Sequence, residues 1–369
     1  MKEITQLHDK AMDLADQAFL AKRRGDVPES RDLYGQALAL ELKAANLLRD
    51  QTSTEPSRSV LYRSAASLAI DVEDFRLAER LIATALAGEP PTEIEAELHD
   101  LLTQASFQRS LHELRIELEP AELQLSIAGD AVGHNIALSE VFIDRVKDME
   151  RILFRTVERL LGHDFRERGL PKRQIQEAYS LYLSAPRSGS FEVTLRLGRQ
   201  MELPGLDFST QVIGEVMDCF TLFSQAQEDR LRQKISQESY YNNFIGLAKR
   251  IAPDGERVSI VGLTSLMRGT QVKLAITRKQ KDITPITKII TPVEETRLVK
   301  VTGRLLLADA RKPLGKIYLV EESGLSHPVS VPEGMMNDIV RPLWDDVVTV
   351  TGIRKGRIVH LKEIVRARE

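Results

Sequence analysis

The stretch GDVPESRDLYGQAL, Gly25 to Leu38, breaks a helical pattern and then restores it. The chain leaves helical register at Gly25-Asp26. It resumes with Leu33, Tyr34, Ala37 and Leu38 at spacings of one, three and four residues, the signature of a buried helix face. A break of this kind is the turn of a helix hairpin. A helix hairpin near the start of a chain raises the question of a repeat.

A second copy is present in VEDFRLAERLIATALAGEP. Ser30, Tyr34, Ala37 and Leu38 correspond to Ala78, Ile82, Ala85 and Leu86, each displaced by 48 residues. The turn Gly25-Asp26-Val27 corresponds to Glu73-Asp74-Phe75. Small residues fall on both first helices, Ala18 and Ala21, then Ala66 and Ala69. Two antiparallel helices approach closely only where small side chains face each other. These positions resemble the tetratricopeptide repeat, the second copy more closely, with Ala66, Phe75, Ala78, Ala85 and the closing Pro90 at that repeat's spacing. The resemblance covers about the first quarter of the chain, and the period of 48 departs from that family's 34. It implies a small concave surface for a partner protein, for which Lys22, Arg23, Arg31 and Tyr34 are the candidate contacts. A plain helical cap without a groove is the alternative.

The 369 residues exceed one ordinary core, so two or three domains are expected. Hydrophobic content of 42% and charged content of 28% are those of a folded protein. The net charge of −3 divides unevenly, as −8 over residues 1–119, +3 over 120–291 and +2 over 292–369. The N-terminal region would therefore repel a nucleic-acid backbone. Cys219 is the only cysteine, so neither an intrachain disulfide nor a zinc site with two Cys ligands can form. No apolar run has the length of a membrane span or the form of a leader, and a cytoplasmic location is expected.

After a helix over Thr92–Leu118 the pattern becomes mixed. ELQLSIAG alternates as a strand, and a long helix is expected over Ile136–Leu161. Leu138, Phe142, Val146, Met149, Leu153, Val157 and Leu160 form its stripe. Asp144, Lys147, Asp148, Arg151, Arg155 and Arg159 are read onto its solvated face. The stripe fits burial against the domain's own sheet, or alternatively a homodimer. Two strands around a loop with Pro186 and Gly189, helices near Ser209–Arg232 and Gln237–Ile251, and strands RVSIVGL and TQVKLAIT complete an α+β domain.

From about Pro292 the chain is strand-rich. TRLVKVTGRLLLAD, GKIYLVEE and SHPVSVP are followed by a short helix in EGMMNDIVRPLW, then by DDVVTVTGIR and RIVHLKEIVRA around Lys355-Gly356. This order, three strands, a helix and two strands, resembles the OB-fold, and SH3-like barrels fit nearly as well. The resemblance implies a groove for single-stranded nucleic acid. Arg354, Lys355, Arg357, Lys362 and Arg366 are the candidate contacts, with a second cluster at Arg278, Lys279 and Lys281.

No convergent catalytic set emerges. His8-Asp9, His99-Asp100 and His163-Asp164 lack the further ligands of a metal-dependent phosphohydrolase. Pro253-Asp254 lacks the Glu-x-Lys strand of a nuclease, and no Walker loop, dinucleotide fingerprint or nucleophile elbow occurs. Ser188 and Ser190 with Arg187 offer an anion-binding nest. Cys219, amid apolar residues, reads as a core thiol. The expected architecture is helical hairpins over 1–118, an α+β domain over 120–291 and a five-stranded barrel over 292–369. No catalytic residues, metal or cofactor are assigned. The expected function is a non-enzymatic adaptor or scaffold binding a partner protein through the helical domain. The architecture is similar to multi-domain bacterial proteins of multi-component systems, some of which serve in anti-phage defence. A nucleic-acid-binding protein is the second reading, and a hydrolase whose groups meet only in space is the third.

Overall fold

A computed structural model describes residues 2–113, 118–130, 132–133, 136–183, 191–198, 205–283, 297–309 and 315–367. The helical arm consists of α1 (Lys2–Arg24), α2 (Val27–Leu47), α3 (Ser57–Asp71), α4 (Phe75–Leu86) and α5 (Thr92–Glu113). The 48-residue correspondence holds down to single hydrogen bonds. The Gly25 amide donates to Lys22 O at 3.0 Å and the Asp26 amide to Ala21 O at 3.0 Å. The Glu73 and Asp74 amides donate to Ile70 O and Ala69 O at 3.0 and 2.9 Å. Both are Schellman turns, with Gly25 and Glu73 at positive φ (84° and 66°). Asp26 and Asp74 then cap the next helix, each accepting an amide three residues on. The alanines predicted at the hairpin contacts, Ala18, Ala21, Ala37, Ala66, Ala69, Ala78 and Ala85, are fully buried. Side chains this small let helix axes approach to roughly 8 Å.

The arm keeps a core of its own, from Ala18 through Tyr62 and Ile82 to Leu98 and Ala105. Helix α5 runs beyond it. Phe107 and Leu111, near the end of α5, pack on Ile260 of the following domain. Glu41 of α2 is wholly buried inside the arm. Its carboxylate lies 2.9 Å from His8 Nδ1 of α1, and burial pushes the carboxyl above the usual range.

The central domain follows as β1 (Glu122–Ala128), β2 (Val132–Gly133), β3 (Ile136–Ala137), α6 (Ser139–Leu160), α7 (Arg173–Ala178), β4 (Leu181–Leu183) and β5 (Phe191–Leu197). It continues with α8 (Gly205–Ser224), α9 (Glu228–Lys234), α10 (Glu238–Ile251), β6 (Ile260–Met267) and β7 (Thr270–Ile276). The main sheet is antiparallel in the order β4-β5-β1-β6-β7. Leu123, Leu125 and Ile127 point to the face packed by α6, α8 and α10, while Gln124 and Ser126 point to the other. The expected α+β domain is present, with three local differences. The long helix begins at Ser139, because Ile136 and Ala137 pair with Val132 and Gly133. The expected helix around Ser209–Arg232 is split between α8 and α9, where Ala226 takes a positive φ of 54°. Asp148 and Arg155, assigned to the solvated face of α6, are buried, as are Arg145 and Glu158.

The chain closes with a barrel of β8 (Arg297–Asp309), β9 (Gly315–Val320), β10 (Ser326–Val331), β11 (Val347–Lys355) and β12 (Ile358–Arg366). The strands run β10-β12-β11-β8-β9, antiparallel except for β10 with β12. Between β10 and β11 the expected helix is one π-turn, Met336–Val340, followed by a 3-10 turn, Arg341–Leu343. The barrel interior and the central domain form one continuous hydrophobic core, in which Met335, Ile339 and Leu343 join Phe244 and Ile245. Among the described residues no helix is long and apolar enough to cross a membrane.

Two predictions test this packing. At Gly334 (φ +84°) an added Cβ would lie 2.1 Å from the Ser239 carbonyl oxygen at the start of α10. Gly334→Ala combines left-handed strain with a backbone collision, so a loss on the order of 2–4 kcal/mol is expected by denaturant titration. For Glu41, a carboxyl raised in the folded state keeps its proton while the unfolded one loses it. Stability should therefore fall as pH rises from about 4.5 toward the raised value. Glu41→Gln should flatten that slope in thermal melts across the same window.

Candidate functional site

The residues singled out in the sequence divide into those tied up inside the fold and those left at its surface. Lys22 Nζ donates to Asp71 at 3.3 Å and lies 5.8 Å from the Tyr34 ring. Tyr34 is buried, and burial pushes its phenol up to about 12. Arg31 bonds Val72 O and pairs with Glu73 at 3.4 Å. These three side chains join the first hairpin to the second turn. Arg23 stays exposed on Phe19, its guanidinium 6.0 Å from the ring. Beside it Phe19, Leu20 and Val27 are each more than half exposed, which sequence periodicity did not single out.

The basic residues do not form one patch. Arg278 is held by Glu228 at 2.8 Å and by Phe223 O at 3.0 Å. Arg366 is surrounded by Asp346, Glu140 and Asp144. Lys362 lines one small hollow with Gln280, whose chain neighbours are Lys279 and Lys281. Arg354, Lys355 and Arg357 lie around the β11–β12 turn at the opposite end of β12. Arg354 sits 3.5 Å from His327 Nδ1, whose other nitrogen bonds Glu321 at 2.8 Å. Lys355 and Arg357 are exposed. Arg187, Ser188 and Ser190 lie outside the described residues.

The catalytic candidates have structural surroundings. Burial raises the Cys219 thiol to about 12, with Glu215 adding to it, so a thiolate is not available near neutrality. Asp254 turns inward and accepts the amides of Glu256, Arg257 and Val258 at 2.9, 2.8 and 2.9 Å. Among the described residues no group of three or more His, Cys, Asp and Glu is placed to hold a metal.

The seam between the central domain and the barrel concentrates the buried charge. Arg155 of α6 donates through Nε to Asp338 of the π-turn at 2.7 Å and through Nη1 to Glu158 at 3.2 Å. Its guanidinium stacks 4.0 Å from the Phe165 ring. Asn243 of α10 donates to the same Asp338 oxygen at 3.0 Å and to Gly334 O at 2.9 Å. Arg155 Nη2 and Asn243 Oδ1 find no protein partner, and both residues line a cavity of about 10 Å³, a volume that fits a single bridging water. Around this knot Arg250 pairs with Asp148 at 2.9 Å, and Lys249 with Glu363 of β12 at 2.9 Å. Beside it opens a cleft of about 880 Å³. Its walls are the outer side of α6, the segment 166–181 and the turn Asn337–Pro342. No sequence motif marks it, because its walls come from three separate stretches.

No protein-family model, no curated protein and no solved structure matches the chain.

Removing one member of the knot should be far worse than removing both. Arg155→Met removes the guanidinium paired with Asp338 and leaves that buried carboxylate with the amides of Asn243 and Asn337, while Glu158 keeps Arg166, and a loss of about 3–5 kcal/mol is expected. Asp338→Leu added to it should recover a substantial share. A double-mutant cycle by chemical denaturation measures the coupling.

Proposed function

We propose that the chain is a non-catalytic binding scaffold in which the helical hairpins hold a partner protein and the fused central domain and barrel form the base. The observation that carries this reading is the exposure of Phe19, Leu20 and Val27, with Arg23, around the first turn of an arm that has its own core. Large apolar side chains left together on a surface mark contact sites more often than isolated ones do. The duplicated Schellman turn and the alanine-lined hairpins support a tetratricopeptide-like arm, a scaffold used for protein capture. The net charge of −8 over residues 1–119 favours a partner with a basic surface. The contact set moves accordingly, from Lys22, Arg31 and Tyr34 to Phe19, Leu20, Arg23 and Val27.

A second reading, nucleic-acid binding, is favoured by one observation. The barrel's strand order with β10 parallel to β12 is that of an OB-fold, and exposed Lys355 and Arg357 sit in its β11–β12 turn. That turn is one of the loops with which OB-folds grip single strands. Against it stand the few aromatics of the barrel and the internal pairing of Arg278 and Arg366.

A pull-down from native lysate, with and without nuclease, separates the two readings. The intact chain is compared with a Phe19→Asp/Leu20→Asp variant and a Lys355→Glu/Arg357→Glu variant. The scaffold reading expects one stoichiometric protein, insensitive to nuclease, lost only with the first variant while its melting curve stays unchanged. Nuclease-sensitive recovery lost only with the second variant, and falling steeply with salt, would replace it with the barrel reading.

A further inference from the structure

We propose that the cleft at the seam is a binding site for a small amphipathic anion, an aromatic or alkyl body carrying phosphate or another acidic group. This site is independent of the arm and of the barrel's β11–β12 turn.

The size comes first. About 880 Å³ lies within the range of clefts that enclose a whole small ligand. The walls explain the apolar body. Phe154 of α6, Leu170, Leu181 and Pro342 line it. Leu170 is 77% exposed, the most exposed large apolar side chain among the described residues, and stands on this rim. An apolar ring or chain placed between them would remove carbon surface from water on both sides.

The rim explains the anion. Lys147 of α6 and Arg341 of the 3-10 turn stand on different walls. Both are exposed, and neither makes an ion pair or hydrogen bond among the described residues. The other cations of the cleft, Arg151, Arg155 and Arg166, are already matched by Asp148, Asp338 and Glu158. They add positive potential behind the rim without being available as forks. Two carboxyls line the cleft. Asp338 is committed to Arg155 and Asn243. Glu150 lies on the α6 wall, where burial pushes its carboxyl upward against the opposing influence of Arg151. An acidic group bridging Lys147 and Arg341 would link α6 to the barrel turn, as Arg155 does in the interior.

The test uses the full chain at moderate salt with three probes. They are a fluorescent N-methylanthraniloyl ADP, anilinonaphthalene sulfonate and inorganic pyrophosphate as a competitor without an apolar body. The expected result is saturable one-site binding of at least one fluorescent probe. Lys147→Glu and Arg341→Glu should each weaken it about ten-fold or more, and Leu170→Asp should weaken it comparably. Lys355→Glu/Arg357→Glu should leave it unchanged. Displacement by unlabelled ADP would identify a nucleotide-like body. Preference for the sulfonate, with no displacement by ADP, would identify another apolar acid of the same class. All three cleft substitutions lie on exposed side chains, so unchanged melting curves are expected and serve as the folding control. Absence of saturable binding by both fluorescent probes overturns the proposal, as does binding that is indifferent to Lys147→Glu and Arg341→Glu. Pyrophosphate competing as well as ADP, with Leu170→Asp silent, also overturns it, because the apolar half would then contribute nothing.

Discussion

The interaction on which the rest of the body depends is the buried pair of Arg155 and Asp338. An isolated charge in an interior of this kind costs several kcal/mol, and Arg155 is the cation that offsets Asp338 there. Asp338 lies on the π-turn of the barrel and Arg155 on the main helix of the central domain, and their contact fixes how the two meet. Asn243 brings a third element, α10, to the same carboxylate oxygen. Around this polar knot the hydrophobic core runs without interruption from the sheet into the barrel. The central domain and the barrel are thus joined by a shared interior and not by a surface contact. The π-turn is the peg of this joint: Met335 and Ile339 enter the core, while Glu333 O and Gly334 O accept from α10 side chains.

The helical arm follows a different logic. Its hairpins close on alanines, and larger side chains such as Tyr34, Leu61, Tyr62, Phe75 and Ile82 fill the spaces beside them. Stability there comes from close backbone approach and well-made turns. The element shared with the body is α5, whose first half belongs to the arm core and whose last turns sit on the sheet beside Gly262. Gln227 and Arg230 add bonds to the carbonyls of Lys22 and Arg24 at the end of α1. The arm is therefore held at two points, one apolar at the end of α5 and one polar at its first turn, while the Phe19, Leu20 and Val27 side chains near that turn stay exposed.

Local features were legible in the sequence, and long-range ones were not. The correspondence between Gly25–Leu38 and Glu73–Leu86 is written in residue types, because a Schellman turn followed by a capping Asp needs only a handful of neighbouring positions. The element order of the barrel was readable for the same reason. The charges of α6 were not. Asp148 and Arg155 repeat at helical spacing on what reads as a polar face, but that face is itself covered, by α10 and by the π-turn. The partner that makes Arg155 tolerable there stands 183 residues further on. Periodicity reports which face is apolar, and it cannot report that a polar face has been buried with its partners. Tyr34 and Arg31 misled in the opposite sense. Residues that sit at a candidate groove also serve as the struts between one hairpin and the next.

The exposed side chains of the first hairpin and the cleft at the seam differ in how far they are spread along the chain. Arg23, Phe19 and Leu20 stand within five residues on a single helix, yet only Arg23 was marked in the sequence. A cleft built where three segments meet leaves no local trace, since Lys147, Leu170 and Arg341 are unremarkable in their own stretches. Yet the cleft depends on the seam more directly than the arm does. Its wall of α6 and its wall of Asn337–Pro342 are the two elements that Arg155 and Asp338 hold together. Any anion bridging the rim would add a second tie across the joint, outside the first. Occupancy of the cleft and seating of the barrel are then two expressions of one equilibrium, and a ligand that binds only the seated form must stabilise it.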